Sequence, residues 1–426
     1  MSKNIEKALR YIEKNCKADD YSISIWTKDS HETRFAQNTI TQHIAGDNLQ
    51  LSLEVAYDNK TGKARTNQLD ENSLKDLIAT AQNTAISNQP DPEYMPTLGK
   101  QVYPKPVNLI EATAKLEPAE MVEIVRKSIA HAEKQDARVS GMTEKHIQRS
   151  IIATKKGLYA DSSFSEFGHS MTMKKGEAET KVSFNHKDYA KFKLKNELDR
   201  LSSQMDSLVQ QKPFEPQRIP VIIRPEALIE LISFMSWFMN RRQADEGFTP
   251  FTDQLGKNFF GKKFSLMSTL KDKDLIAPPF VSDGLPSEEI TWVNKGKLLT
   301  MPTNRYWAQE KKAKPSQLYN IYVPGEGTTE AEMMKLVPKG LIINRFWYIR
   351  VVDMKRGELT GMTRDGVLYF EKGKIKHAVN NLRWNEIPHE VTRRILAMGE
   401  SVGVEGYAKI PPMLIDAFNF VDKTSF

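Results

Sequence analysis

Cysteine is almost absent: Cys16 is the only one in 426 residues. That excludes an intrachain disulfide framework and any cysteine-rich zinc module. No uncharged apolar run approaches the ~20 residues that cross a bilayer. The opening "MSKNIEKALRYIEKNCKADD" lacks the apolar core of a signal peptide and places Ile5, Ala8, Leu9 and Ile12 on one face of a helix. The cytoplasm is therefore the expected compartment. No two of the eight histidines lie within five residues of each other, so HExxH is missing. "PGEGTTEAEMM" (324–334) lacks the ending of a phosphate loop and reads as a turn before a helix capped by Thr328 or Thr329 with Glu332. There is no GxSxG elbow, internal repeat or low-complexity tail.

What is present is an ordinary globular composition, 39% hydrophobic and 27% charged, in a chain long enough for two cores. The net charge of +7 comes from scattered pairs such as Lys262-Lys263, Lys311-Lys312 and Arg393-Arg394, with no interleaved aromatics. A solvated basic surface is expected, not a nucleic-acid interface.

Strand patterns occur at "YSISIWT" (21–27) and "LQLSLEVAY" (49–57), with an expected break at Gly46-Asp47-Asn48 between them. "DNKTGKARTN" reads as a hairpin turn into another strand. A helix follows with Leu74, Leu77, Ile78, Ala81 and Ala85 in register, then a proline-rich linker over 90–106. A helix over about 117–135, antiparallel strands from 137 to 193 and a helix over 196–211 complete the first half. "QQKPFEPQRIP" (210–220) reads as a boundary. The short strand "VII" (221–223) opens a second half that ends in glycine-punctuated strands. The class is α+β in two domains, 1–212 with strands and helices and 213–426 β-rich around a buried helix.

That helix is "LIELISFMSWFMNRR" (228–242), in which Leu228, Leu231, Ile232, Met235 and Met239 share one face. A second stripe, Ile229, Ser233, Ser236 and Asn240, is mostly small and polar. Burial on more than one face is expected, with Phe234 and Trp237 in the core. His169 and His186 fall on neighbouring strands with Asp188 nearby; hydrogen-bonded strand histidines are the simpler reading, a site across the sheet the alternative. From the residues alone no self-sufficient active site emerges.

The order of "TRFAQNTITQ", "LQLSLEVAYDNKTGKARTNQLDENSLKDLIATAQNTA", "RRQADEGFTPF", "VSDGLPSEEITWVNKGKLL" and "GLIINRFWYIRVVDMKRGELTGMTRDGVLYFEKGKIKHAV" resembles the TldD/PmbA family, once called modulators of DNA gyrase. The resemblance runs from near residue 20 almost to the C-terminus. It implies that TldD-type subunits carry HExxxH on the helix after the strand that opens the C-terminal domain. Two histidines and a C-terminal cysteine there hold zinc, and the glutamate serves the attacking water. TldE/PmbA-type subunits lack the motif and pair with TldD in a peptidase that trims modified peptides. Counted from Pro225, the motif positions here are Ser233, Phe234 and Phe238, and the second half has no cysteine. None of these side chains replaces a zinc ligand or a base. The resemblance thus implies a non-catalytic subunit that needs no cofactor of its own, zinc residing in a TldD-like partner. The alternative is a stand-alone homodimeric peptide-binding protein. Arg241 and Arg242 are candidates for a chamber rim that meets peptide or partner, or else a solvated helix end.

Overall fold

The computed structural model describes residues 2–208 and 211–424. The first half is built on six antiparallel strands: β1 (Asp20–Ala36), β2 (Thr39–Tyr57), β3 (Lys60–Thr66), β4 (Arg138–Thr154), β5 (Tyr159–Lys175) and β6 (Ala178–His186). Their order is β3-β2-β1-β4-β5-β6. Gln37-Asn38 and Asp58-Asn59 link the first three strands with both residues of each turn at positive φ. That is the turn whose twist matches a two-residue hairpin.

The expected break at Gly46-Asp47-Asn48 does not occur. β2 runs through it, pairing these residues with Ser30, Asp29 and Lys28 of β1. The ladder outweighs the turn-forming tendency of the three residues, and Ser30 Oγ donates to the Gly46 carbonyl at 3.2 Å.

Alternation gives this sheet two unlike faces. Ile23, Ile25, Phe35, Val139, Ile151, Phe167 and Met171 are buried under the helices Glu71–Ser87, Pro118–Glu133 and Leu194–Leu208. The other face carries Ser22, Ser30, Glu32, Glu144, His146, Glu166 and Asn185. The helix Glu71–Ser87 is capped by Asp70, whose side chain accepts from the Ser73 N–H, and buries the five residues that periodicity selects. Gly62 on β3 lies directly beneath it, where a Cβ would fall inside the backbone of Ala81 and Ala85. Gly62→Ala is therefore expected to push helix and sheet apart and destabilise the chain by about 1–3 kcal/mol. A urea midpoint unchanged from wild type would contradict that packing.

The helix expected over 196–211 ends at Leu208; residues 209–210 lie outside the described residues, and Gln211–Lys212 pair with strand Lys374–Val379. In the second half, strands Lys339–Asp353, Arg218–Ile223, Met413–Lys423, Leu382–Glu386 and Glu358–Glu371 pair in that order. Further pairing of Lys339–Asp353 with Glu358–Glu371 closes the sheet on itself. The unbroken apolar run "VII" has a physical reason: the strand is buried on both faces. Val221 and Ile223 pack with the helix Pro225–Phe238, whereas Ile222 packs with Met333 and Met334 of the helix Glu330–Leu336. Thr329 and Glu332 form the capping box of that second helix. A smaller sheet of short strands lies between residues 266 and 410. Among the described residues no helix is long and apolar enough to cross a membrane.

Candidate functional site

Pro225 occupies the first helical position, where the missing N–H costs nothing. Arg224 before it is forked onto Glu330 at 2.7 and 2.9 Å, fixing the point where strand becomes helix. The helix then buries Leu228, Ile229, Leu231, Ile232, Met235 and Phe238.

The three motif positions differ in environment. Phe238 is 1% exposed and part of the main core. Phe234 is partly buried and packs against the same core. Ser233 is half-buried near the Tyr407 phenol, whose pKa burial pushes up. One turn before Ser233, the Glu230 carboxyl is pushed up by burial and by Glu405, with Arg345 opposing. Glu226, Glu230, Lys181, Arg345, Asp365 and Glu405 line a charged cavity of about 80 Å³ between this helix and β6. Burial pulls the Lys181 ammonium down in the same place.

A serine hydroxyl and two phenyl rings do not make a zinc site, because zinc takes imidazole, thiolate or carboxylate. The only cysteine, Cys16, is buried in the first half among Ile5, Ala8 and Ile12. The zinc chemistry that the resemblance implies does not fit this helix, and no step is derived through a metal here.

Trp237 departs from expectation. It is 57% exposed, not core. It follows Ser233 by one helical turn and so falls on the weakly apolar side with Ser233 and Ser236. Arg241 and Arg242 are not a solvated end of the long helix either. Asn240 caps a second, short helix, Arg241–Asp245, by accepting from the Gln243 N–H. Arg241 pairs with Asp245 at 2.9 Å. Arg242 forks onto Glu93 at 2.7 and 2.8 Å, reaches Glu246 at 2.9 Å and lies over the Trp307 ring. Both arginines are thus engaged within the chain, and Arg242 ties this helix to the proline-rich linker.

His169 and His186 are kept apart. His169 is 1% exposed, bonded to Thr143 Oγ1 at 2.8 Å and Ser128 Oγ at 3.5 Å, and packed against Phe35 and Phe192. Desolvation pulls its pKa down to about 4. His186 Nδ1 accepts from the Asp188 N–H at 2.9 Å, and its Nε2 lies 3.5 Å from Asp274. They share no partner and form no common site.

Sequence reasoning missed a different group. Glu32 on β1 pairs in register with Glu144 on β4, and His146 follows two residues later on the same face. Their ligand atoms lie within 4.8 Å of one another. The only local signal is a Glu and a His two apart on a strand; their meeting with Glu32 depends on a strand pairing over a hundred residues away.

The family model "PmbA/TldA metallopeptidase C-terminal domain" matches residues 216–422. A search of curated proteins finds no match. Among solved structures, TldE from Thermococcus kodakarensis superposes with a TM-score of 0.88 at 14% identity, covering 98% of this chain and 100% of that one. A protein described as a modulator of DNA gyrase from Thermotoga maritima gives 0.85 at 18% identity, over 99% and 100% of the two chains. A protein of the same description from Bacteroides thetaiotaomicron gives 0.86 at 15% identity, over 99% and 98%. These structures share the fold along the whole length, and residues 216–422 match the C-terminal domain of the PmbA/TldA metallopeptidase family.

Proposed function

We propose that this chain is a TldE/PmbA-like, non-catalytic subunit that completes a two-chain peptidase whose zinc and HExxxH helix belong to a TldD-like partner. The observation that carries this reading is the content of the helix at the motif positions. Ser233 offers only a hydroxyl, Phe234 packs on the core and Phe238 is inside it. No group there binds a metal or takes a proton from water.

The subunit's part is to shape the chamber and hold an extended peptide. Strand Lys339–Asp353 supports this, because only Leu341, Ile342 and Ile343 pair with strand Arg218–Ile223. Its later stretch carries the partly exposed Tyr348, Val351 and Val352 and offers main chain for strand addition. Trp237, with Arg241 and Arg242 behind it, is the proposed rim that meets partner or peptide.

Co-expression with an HExxxH-bearing homologue from the same source tests the assignment. A heterodimer by native mass spectrometry is expected, with peptide hydrolysis that needs both chains. Hydrolysis by this chain alone would sink the non-catalytic reading. A stable homodimer that ignores the homologue would favour the stand-alone peptide-binding protein.

A further inference from the structure

We propose that Glu32, Glu144 and His146 form a divalent transition-metal site on the polar face of the first sheet, separate from the helix Pro225–Phe238. The site does not depend on the subunit assignment, and it departs from the expectation that this chain holds no metal.

The argument begins with register. Glu32 and Glu144 are direct partners on β1 and β4, and His146 opposes Ser30 in the next same-face row. One imidazole nitrogen and two carboxylates thus converge within 4.8 Å. His146 Nε2 lies 2.8 Å from Glu144 Oε2. Donors about 2.1 Å from a tetrahedral zinc sit about 3.4 Å from each other, so this pair needs to spread by only about half an ångström to share an ion.

Two further observations separate this group from a surface cluster. The first is His146 itself, which is 8% exposed. The buried His169 uses both ring nitrogens on hydroxyls of the fold. His146 instead turns Nε2 to the carboxylates and leaves Nδ1 without a partner among the described residues. Most buried side-chain polar atoms find a partner; in this sheet His146 Nδ1 and His31 Nδ1 do not. The second is Gly168, which pairs with Glu144 across β5. A Cβ there would lie 2.9 Å from Glu144 Cγ and Oε1, so the glycine provides the seat on which the carboxylate lies.

The nearby charges do not close the site. Arg34 pairs with Glu32 at 3.3 Å from a half-exposed position, and Lys28 and Arg34 act on Glu144 only at longer range. An imidazole with two carboxylates suits zinc or manganese and leaves coordination positions for water.

The test uses the full-length chain stripped with chelator and titrated with zinc chloride by calorimetry, with bound metal counted after dialysis. One equivalent per chain is expected. Glu144→Gln and His146→Gln should each weaken binding by at least ~10-fold, the least that disturbing a ligand's surroundings does. Failure of the wild type to bind more zinc than the double variant would overturn the proposal, as would equal affinity in both. If a variant does not fold, cobalt(II) added to the wild type decides instead. Visible bands showing nitrogen coordination are expected, and the spectrum of the aqueous ion would overturn the site.

Discussion

Phe238→Ala is expected to destabilise the chain by about 3–5 kcal/mol, the usual range for emptying a large aromatic from a core. Phe238 is 1% exposed within the main cluster of the second half. Gly357, held at φ 67°, brings its backbone close enough that a Cβ would lie 3.6 Å from the phenyl ring. The neighbouring Trp237→Ala should cost less than about 1 kcal/mol in the isolated chain, as surface substitutions do. Urea unfolding of the two variants side by side checks both. Similar losses would mean that the helix is rotated from the orientation described. A near-neutral Phe238→Ala would mean that the motif position opens on a cleft, and the subunit assignment would lose its support.

Acidification from pH 7 to pH 5 is expected to remove roughly 4 kcal/mol of folding stability through two buried histidines. His169 is held down to about 4 by desolvation. His389 is held down to about 3 by burial against Phe259, where it stacks at 4.3 Å, with Arg393 adding repulsion. In the unfolded chain both titrate near ~6.5. Between that value and the folded-state values the unfolded chain binds two protons that the folded chain refuses. Stability is therefore full above pH ~6.5 and falls as pH drops, by about 1.4 kcal/mol per unit for each histidine. Glu166, Glu197 and Glu230 are pushed up by burial and act the other way, favouring the fold as they take up protons. Urea midpoints at pH 7, 6 and 5 measure the balance, and His169→Gln should remove about half of the slope. A His169→Gln variant that keeps the full wild-type slope would show that this imidazole is not held neutral by the fold.

Local signals carried much of the fold into the sequence. Leu74, Leu77, Ile78, Ala81 and Ala85 announce a helix by spacing, and all five are buried. Thr329 and Glu332 announce a capped helix because both partners lie within one turn. Features set by distant pairing were not legible. β2 ignores its own turn residues because β1 supplies a continuous partner. Trp237 is apolar by composition, yet it lies on the face that the core leaves uncovered. The reading at Ser233, Phe234 and Phe238 uses side-chain chemistry alone, which needs no strand pairing. Glu32, Glu144 and His146 could not be read together, because nothing in either segment names the other.

The order in which strands enter the closed sheet bears on synthesis. Met413–Lys423 lies between Arg218–Ile223 and Leu382–Glu386, so a strand made after both its neighbours is an interior one. On the ribosome its two neighbours are made first and wait with facing edges unpaired, the exposure that invites association between nascent chains. Closure waits until residues 413–423 have been made. A stop codon as late as position 412 would leave Arg218–Ile223 and Leu382–Glu386 without the strand that joins them, and the product would be a target for chaperones and proteases, not a slightly shortened protein.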